Sequence, residues 1–345
     1  MVAQHYHTQS MPHHRPSLRF HEADFTDEKV ITSILKSYER LPAFASDTTI
    51  SATHRKSRIT GVIHFAAYKS VGESIQKPMK YYKNNFCGLV DFCSLLGKFE
   101  IKKFVFSSSA TVYGTVADSG VPLREELCSH EKIAFIDEQG IERRTELGCS
   151  GLTNPYGRTK WMCEAFLSDL ARADREWNIT CLRYFNPIGC DESGLLGEDP
   201  RKEATNLMPV LLRVLTGQLP VLNIYGTDYD TIDGSAVRDY IHVTDLARAH
   251  FAALNYKEGE GFRVYNIGSG RGYSVLELIE AVERASKIKI PTRLVDRREG
   301  DVGSCVARAE KAEIELGWKA VKTLDDSCCD VWRFLESGSR KRNDT

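Results

Sequence analysis

The sequence predicts an α/β protein: a doubly wound parallel sheet, an incomplete Rossmann-type domain, with a smaller α/β substrate lobe. Three observations predict it. Residues 61–67 (GVIHFAA), 103–107 (KFVFS) and 178–185 (NITCLRYF) are short apolar runs rich in β-branched and aromatic side chains. Residues 74–96 and 156–175 carry helical spacing and alternate with those runs. Strands without polar alternation are buried on both faces, the habit of a parallel sheet whose crossover helices cover each side. The right-handed crossover then layers helices above and below the sheet. A chain of 345 residues suits about two units at roughly 150 residues each, and it buries a core without disulfides or metal.

Taken in order, residues 1–20 are rich in His and Gln and read as a disordered arm. Residues 21–189 make the Rossmann-type domain. Within it, residues 39–57 are polar and Ser/Thr-rich, and residues 125–152 are charged without clean periodicity. Both read as inserted surface loops; the second lies just before Tyr156, which leaves a lid open as the alternative. Residues 190–337 make the smaller lobe, interleaved with the main sheet. Its strands are expected at 221–225, 262–267 and 290–295, and its helices at 244–256, 274–287 and 324–335. Ser274 and Glu277 fit a capping box, and Thr244 fits a simple N-cap. Residues 338–345 read as a tail.

Hydrophobic residues make up 42% of the chain and charged residues 27%, ordinary for a soluble globular protein. Lys+Arg 46 against Asp+Glu 47 gives a net charge of −1. This excludes nucleic-acid binding driven by bulk positive charge, though not a local basic pocket. No apolar run reaches the roughly 18 residues of a membrane span, and residues 1–20 lack the apolar core of a signal peptide. Ten cysteines include no CxxC pair. Cys87, Cys93, Cys163 and Cys181 sit in apolar stretches, which suits reduced thiols and a cytoplasmic location. Without paired ligand spacings, no zinc site is expected.

Two segments carry chemistry. Residues 107–114 (SSSATVYG) follow a strand directly, and in an open parallel sheet ligands bind beyond the carboxyl ends of the strands. This hydroxyl cluster suits a polar substrate; it also suits a Ser-rich capping turn. Tyr156 and Lys160 are four residues apart, hence on one helix face. An ammonium beside a phenol favours the phenolate, and a phenol so tuned acts as general base toward an alcohol. Alone, each signal is weak. In chain order, a strand-end Ser, a helical Tyr–Lys pair and a strand ending in residues 183–187 (RYFNP) form the layout of an alcohol-oxidising site beside a nicotinamide. The Ser holds the hydroxyl, the Tyr takes its proton, and the Lys holds the cofactor ribose and depresses the Tyr pKa.

Residues 64–74, 81–85, 106–114, 155–160, 182–189, 197–200, 206–209, 234–245 and 297–301 together resemble the UDP-glucose 4-epimerases, a family of the extended short-chain dehydrogenase/reductase superfamily. They run in family order from about residue 20 to residue 332. The resemblance implies oxidation at the sugar C4 to a 4-keto intermediate, its rotation, and return of the hydride to the other face, with tightly bound NAD. It implies interconversion of UDP-galactose and UDP-glucose. It assigns Tyr156 as base, Lys160 as its partner and Ser109 as the hydroxyl-holding residue. It places Asp24 and Phe25 near the adenine, and Phe65, Ala66, Ala67, Lys69, Asn84 and Phe185 on the cofactor. It places Asn186, Asn206, Leu207, Asn223, Tyr225, Arg238, Arg298 and Asp301 on the UDP-sugar. The two arginines suit a diphosphate because guanidinium binds phosphate oxygens in a fork. The family often has a bulky Tyr where this chain has Cys305. The smaller residue implies room for an N-acetyl group, and so UDP-N-acetylglucosamine as a further substrate, unless neighbouring groups fill that volume. The resemblance also implies a homodimer through helices at about 75–97 and 155–174.

One family feature is missing. The chain has no Gly before Gly61, so the Gly-rich turn that lets the backbone approach the pyrophosphate is not present. The match begins near the third strand of the sheet. Two unpaired strand edges, exposed apolar faces, weak NAD binding and low stability are expected. Alternative readings are a 4,6-dehydratase or decarboxylase, a UDP-pentose or UDP-uronate epimerase, and a UDP-sugar-binding relative that has lost catalysis. Ala110-Thr111 occupies the place where dehydratases carry an Asp-Glu pair, which speaks against elimination chemistry.

Overall fold

The computed structural model describes residues 17–39, 57–137, 139–198, 206–256, 261–298 and 300–343. Four parallel strands form the main sheet: β1 (Val62–His64), β2 (Lys103–Ser109), β5 (Asn178–Tyr184) and β9 (Gly261–Ile267), in that spatial order. The register aligns Val62 with Phe104, Lys103 with Asn178, and Asn178 with Gly261. The 262–267 strand expected of the smaller lobe therefore closes the main sheet, and the run at 61–67 contributes only Val62–His64.

Both faces are covered, as continuous apolar strands require. On one side Phe104, Phe106, Ile179 and Cys181 pack with Leu89, Leu96, Cys163 and Leu167. These come from α3 (Gly88–Lys98) and α4 (Pro155–Ala173). On the other side Val105, Leu182, Tyr265 and Ile267 pack with Leu246, Ala249 and Trp318, the first two from α6 (Val243–Asn255). The helical stretch expected at 74–96 is interrupted. Helix α2 (Val71–Gln76) ends before Pro78, and a π-helical turn at Tyr82–Cys87 precedes α3. Proline lacks the N–H that would continue the first helix.

Residues 17–24 form no strand, and Leu18 and Phe20 stay 70% and 85% exposed. Among the described residues the first regular element is α1 (Glu28–Lys36), capped by Asp27, whose carboxylate accepts from the Lys29 and Val30 amides. Among the described residues no strand pairs with the outer edge of β1, so one open edge stands there instead of the two expected around a missing centre. Most of the arm and of the 39–57 insertion lies outside the described residues.

The smaller lobe is built around β8 (Val237–His242), flanked by β6 (Asn186–Ile188), β10 (Gly272–Ser274) and β12 (Ser304–Cys305). A parallel pair, β7 (Leu222–Tyr225) and β11 (Thr292–Val295), lies beside it. Helices α5 (Leu207–Leu215), α7 (Val275–Ser286) and α9 (Leu324–Asn343) supply its apolar core. The capping box at Ser274 and Glu277 is formed. The cap of α6 is His242, not Thr244: its Nδ1 accepts the Thr244 amide at 3.0 Å. The expected tail from 338 continues as helix to Asn343. Among the described residues no helix is long and apolar enough to cross a membrane.

Candidate active site

Strand β2 delivers Ser109 to the carboxyl edge of the sheet, where the chain turns into a 3-10 stretch at Ala110–Ser119. Ser109 caps that stretch: its Oγ accepts from the Thr111 amide at 3.2 Å and from Thr111 Oγ1 at 3.0 Å. Gly114 then takes φ +53°, and a Cβ there would stand 2.3 Å from the Gly151 carbonyl oxygen. That close approach requires glycine. It brings the segment after β2 against the segment before α4.

Helix α4 opens with Pro155 at its first turn and Asn154 as cap, whose Oδ1 accepts the Gly157 amide at 2.8 Å. Tyr156 is buried and lines the same cleft as Ser109. Lys160 lies one turn further, 3% exposed. Its Nζ donates to the Ser107 carbonyl and stands 4.7 Å from the Phe106 ring centroid and 6.0 Å from that of Tyr156. Burial lowers the Lys160 pKa to about 8. Burial also pushes the Tyr156 phenol up, partly offset by the nearby Ser109 side chain. The expected depression of Tyr156 by Lys160 is therefore not what this geometry produces. The ammonium is turned to the Ser107 carbonyl, and desolvation governs both groups.

Two adjoining clefts open at Ser109, the larger of them also at Tyr156. The larger, about 730 Å³, is lined by Ser109, Thr111, Tyr156 and Tyr184. The smaller, about 560 Å³, is lined by Ser109 and, from the other lobe, by Arg238, Arg298, Asp301 and Cys305. Lys69, Phe185, Asn186 and Asn206 line both. The Arg238 guanidinium donates to the Val237 carbonyl at 2.8 Å, and Arg298 holds Asp301 at 2.9 Å while lying 4.5 Å over the Tyr225 ring. Cys305 stands beside Arg238 in the β8–β12 register, its thiol pushed up to about 11 by burial. Lys160 sits beneath the floor and lines neither cleft.

The remaining expected residues lie elsewhere. Asp24 is exposed and binds Thr26. Phe25 stands edge-on to His64 at 4.9 Å. Phe65 is 62% exposed and packs on His250 at 4.7 Å. Ala66 and Ala67 follow it without reaching either cleft. Asn84 donates to Asn85, Leu207 packs into the lobe core, and Asn223 accepts from Arg293.

Several residues escaped sequence reasoning. Thr111 and Tyr184 line the clefts. Asn85, 3% exposed, ties the 65–70 loop to α4 by bonding both backbone groups of Tyr68 and Thr159 Oγ1. Arg183 and Glu164, each fully buried, form a two-pronged ion pair with contacts of 3.0 and 2.7 Å. Burial raises the Glu164 pKa, but Arg183 and His130 outweigh that and hold it far below the usual carboxylate range. An Arg in a strand that ends beside the site, and a Glu two turns beyond Tyr156, were the available signals.

The chain matches the NAD dependent epimerase/dehydratase family over residues 43–268. The UDP-glucose 4-epimerase of Bos taurus is 43% identical to it over 319 residues, 92% of this chain and 80% of that protein. The chain belongs to the UDP-glucose 4-epimerase family. The structure of the family member from Bifidobacterium longum, in complex with NAD+ and UDP, matches with a TM-score of 0.78 and 40% identity. It covers 94% of this chain and 84% of that one. The UDP-Glc/GlcNAc 4-epimerase of Campylobacter jejuni matches with a TM-score of 0.67 and 30% identity, over 93% and 84% of the two chains.

Fit to the family's dinucleotide differs between its two ends. Of the residues expected at the nicotinamide end, Tyr156 and Phe185 line the larger cleft, and Lys160 is buried beneath it. At the pyrophosphate end, no Gly-rich turn precedes β1 in this sequence.

Proposed function

We propose that the chain interconverts UDP-galactose and UDP-glucose by epimerisation at C4. One observation carries this reading: Ser109 lines both of two adjoining clefts, one of which also holds Tyr156 and the other two arginines from the opposite lobe. NAD, when bound, supplies the oxidant at C4 and returns what it took. The chain's own residues do the rest. Arg238 and Arg298 anchor the diphosphate by charge-assisted hydrogen bonds, with Asp301 holding Arg298 in place. Asn186 and Asn206 present amides to the sugar and its nucleotide. Ser109 orients the 4-hydroxyl and Tyr156 accepts its proton. Phe185 walls the nicotinamide end, Lys160 supplies a buried positive charge beneath it, and Lys69 meets the ligand where the clefts join. The clefts' apolar walls keep water from the oxidised sugar.

Tyr156 must be a phenolate to accept the proton, and its pKa is raised. Turnover therefore rises with pH on the alkaline side of neutrality. The decisive assay is conversion of UDP-galactose by the full chain with NAD added. Absence of turnover, with UDP binding intact by calorimetry, would favour a UDP-sugar-binding protein.

A second reading rests on Cys305, whose small side chain lines the sugar cleft: UDP-N-acetylgalactosamine and UDP-N-acetylglucosamine are interconverted as well. The setting proposed is a cytoplasmic homodimer, for which sedimentation gives the test of assembly.

A further inference from the structure

We propose that His130, supplied by the segment expected to be a surface loop, is a positioning residue that sets the Ser109–Tyr156 couple through Glu164. The inference rests on the epimerase reading for its kinetic consequence, but not for its geometry.

The segment carries an exposed hairpin, β3 (Ala134–Ile136) paired with β4 (Glu142–Arg144). Its neck is a different matter. The Glu125 and Cys128 carbonyls accept from Arg183 at 3.4 and 2.7 Å, and the His130 side chain is 5% exposed. Arg183 has five N–H donors. Two meet Glu164, two meet these carbonyls, and one meets the Tyr113 hydroxyl at 3.0 Å.

Glu164 is equally saturated. Oε1 accepts from Arg183 and from the Ser108 hydroxyl; Oε2 accepts from Arg183 and, at 2.9 Å, from His130 Nε2. The carboxylate offers about four acceptor sites, and His130 fills the last. Its ring also stacks on Trp161, centroids 3.7 Å apart.

Each of these partners adjoins the chemistry. Ser108 precedes Ser109 on β2. Trp161 follows Lys160, and Glu164 lies one turn beyond Lys160 and two beyond Tyr156 on α4. A carboxylate held by β2, β5 and the segment's neck at once fixes the rotation and height of α4 against β2. Those two coordinates set the distance from the phenol to Ser109, and catalysis is sensitive to shifts of about 1 Å. Without His130, one face of a buried carboxylate loses its donor, and α4 gains freedom to turn.

The test compares H130F, which keeps the stacking ring and loses the donor, with H130Q, whose amide replaces the Nε2 donor. In H130F, hydrogen exchange of the α4 amides from 159 to 164 should rise about tenfold while α7 in the other lobe stays within about twofold. H130Q should restore the protection. With NAD added, kcat of H130F should fall about tenfold while KM and UDP affinity hold within about twofold, again restored in H130Q. Unchanged exchange in α4 would overturn the proposal, as would an equal loss in H130Q, or KM moving with kcat. An H130F chain that fails to fold would also overturn it, since the hydrogen bond would then hold the fold and not the couple. A wild-type chain without turnover defeats the epimerase reading alone, because the exchange result still decides this one.

Discussion

Around the reacting end of the site, Lys160, Glu164 and Arg183 are at most 3% exposed; Glu164 and Arg183 use every hydrogen-bonding position, and Lys160 donates to the Ser107 carbonyl. Across the cleft, Arg298 stands in solvent, and its only ion pair among the described residues is a local one to Asp301. The buried half is a closed network in low dielectric, costly to assemble and resistant to reorientation. The exposed half offers charge that is screened and free to swing. The chain thus holds rigid what must be placed accurately and leaves adjustable what need only grip a diphosphate.

The most severe break falls on the buried half. Y156F removes the proton acceptor and should lower kcat by about 10³-fold. UDP affinity by calorimetry should stay within about twofold, because the phosphate grip lies elsewhere. A matched loss of affinity would show that the two halves are not separable.

K160M sharpens the contrast by opposing function to stability. The Lys160 pKa is lowered to about 8 in the folded chain, against about 10.4 unfolded. At neutral pH, folding therefore works against burial of a charge. The sign follows: between about pH 8 and 10 the unfolded state binds more protons, so stability rises with pH in that window. K160M should flatten this rise, raise the midpoint of thermal unfolding at pH 7, and lower kcat by about 10²-fold. A destabilised K160M would mean that the Ser107 hydrogen bond outweighs desolvation.

On the phosphate side of the cleft, where Arg298 is exposed and Arg238 half-buried, R238Q and R298Q should each weaken UDP binding about tenfold, the worth of a charge-assisted hydrogen bond, with kcat within about threefold. Raising salt to about 1 M should weaken wild-type UDP binding and narrow the gap to both variants. A salt-insensitive affinity would remove the screened-charge account.

The same contrast governs what was legible in the sequence. Strands β2 and β5 announce themselves as apolar runs because both faces are buried. Tyr156 and Lys160 are legible through a spacing that only a helix makes meaningful. Arg238, Arg298, Asp301 and Cys305 were reached through family motifs and do meet in one cleft. By contrast, His130 and Glu164 are 34 residues apart and join only after β2, α4 and the neck have packed. No local pattern encodes that. The charged hairpin beyond the neck hid the buried residues beside it, so an anchored brace read as a solvated loop. Around residue 20 motif order marked only where the family resemblance begins, and the described residues there form no strand.

The mildest perturbation concerns shape rather than charge. Cys305 lines the cleft beside Arg238, and its thiol, pushed up to about 11 by burial, is neutral at physiological pH. It contributes volume, not charge. C305Y adds a ring to that wall and should abolish turnover of UDP-N-acetylgalactosamine while leaving UDP-galactose within about threefold, since a single steric contact discriminates by roughly 10- to 200-fold. The comparison of the two substrates in wild type and variant checks this. If wild type does not turn over the N-acetyl sugar, the space beside Cys305 is already filled by its neighbours. If C305Y loses both substrates equally, the added ring has displaced Arg238, and the wall and the phosphate grip are one structure instead of two.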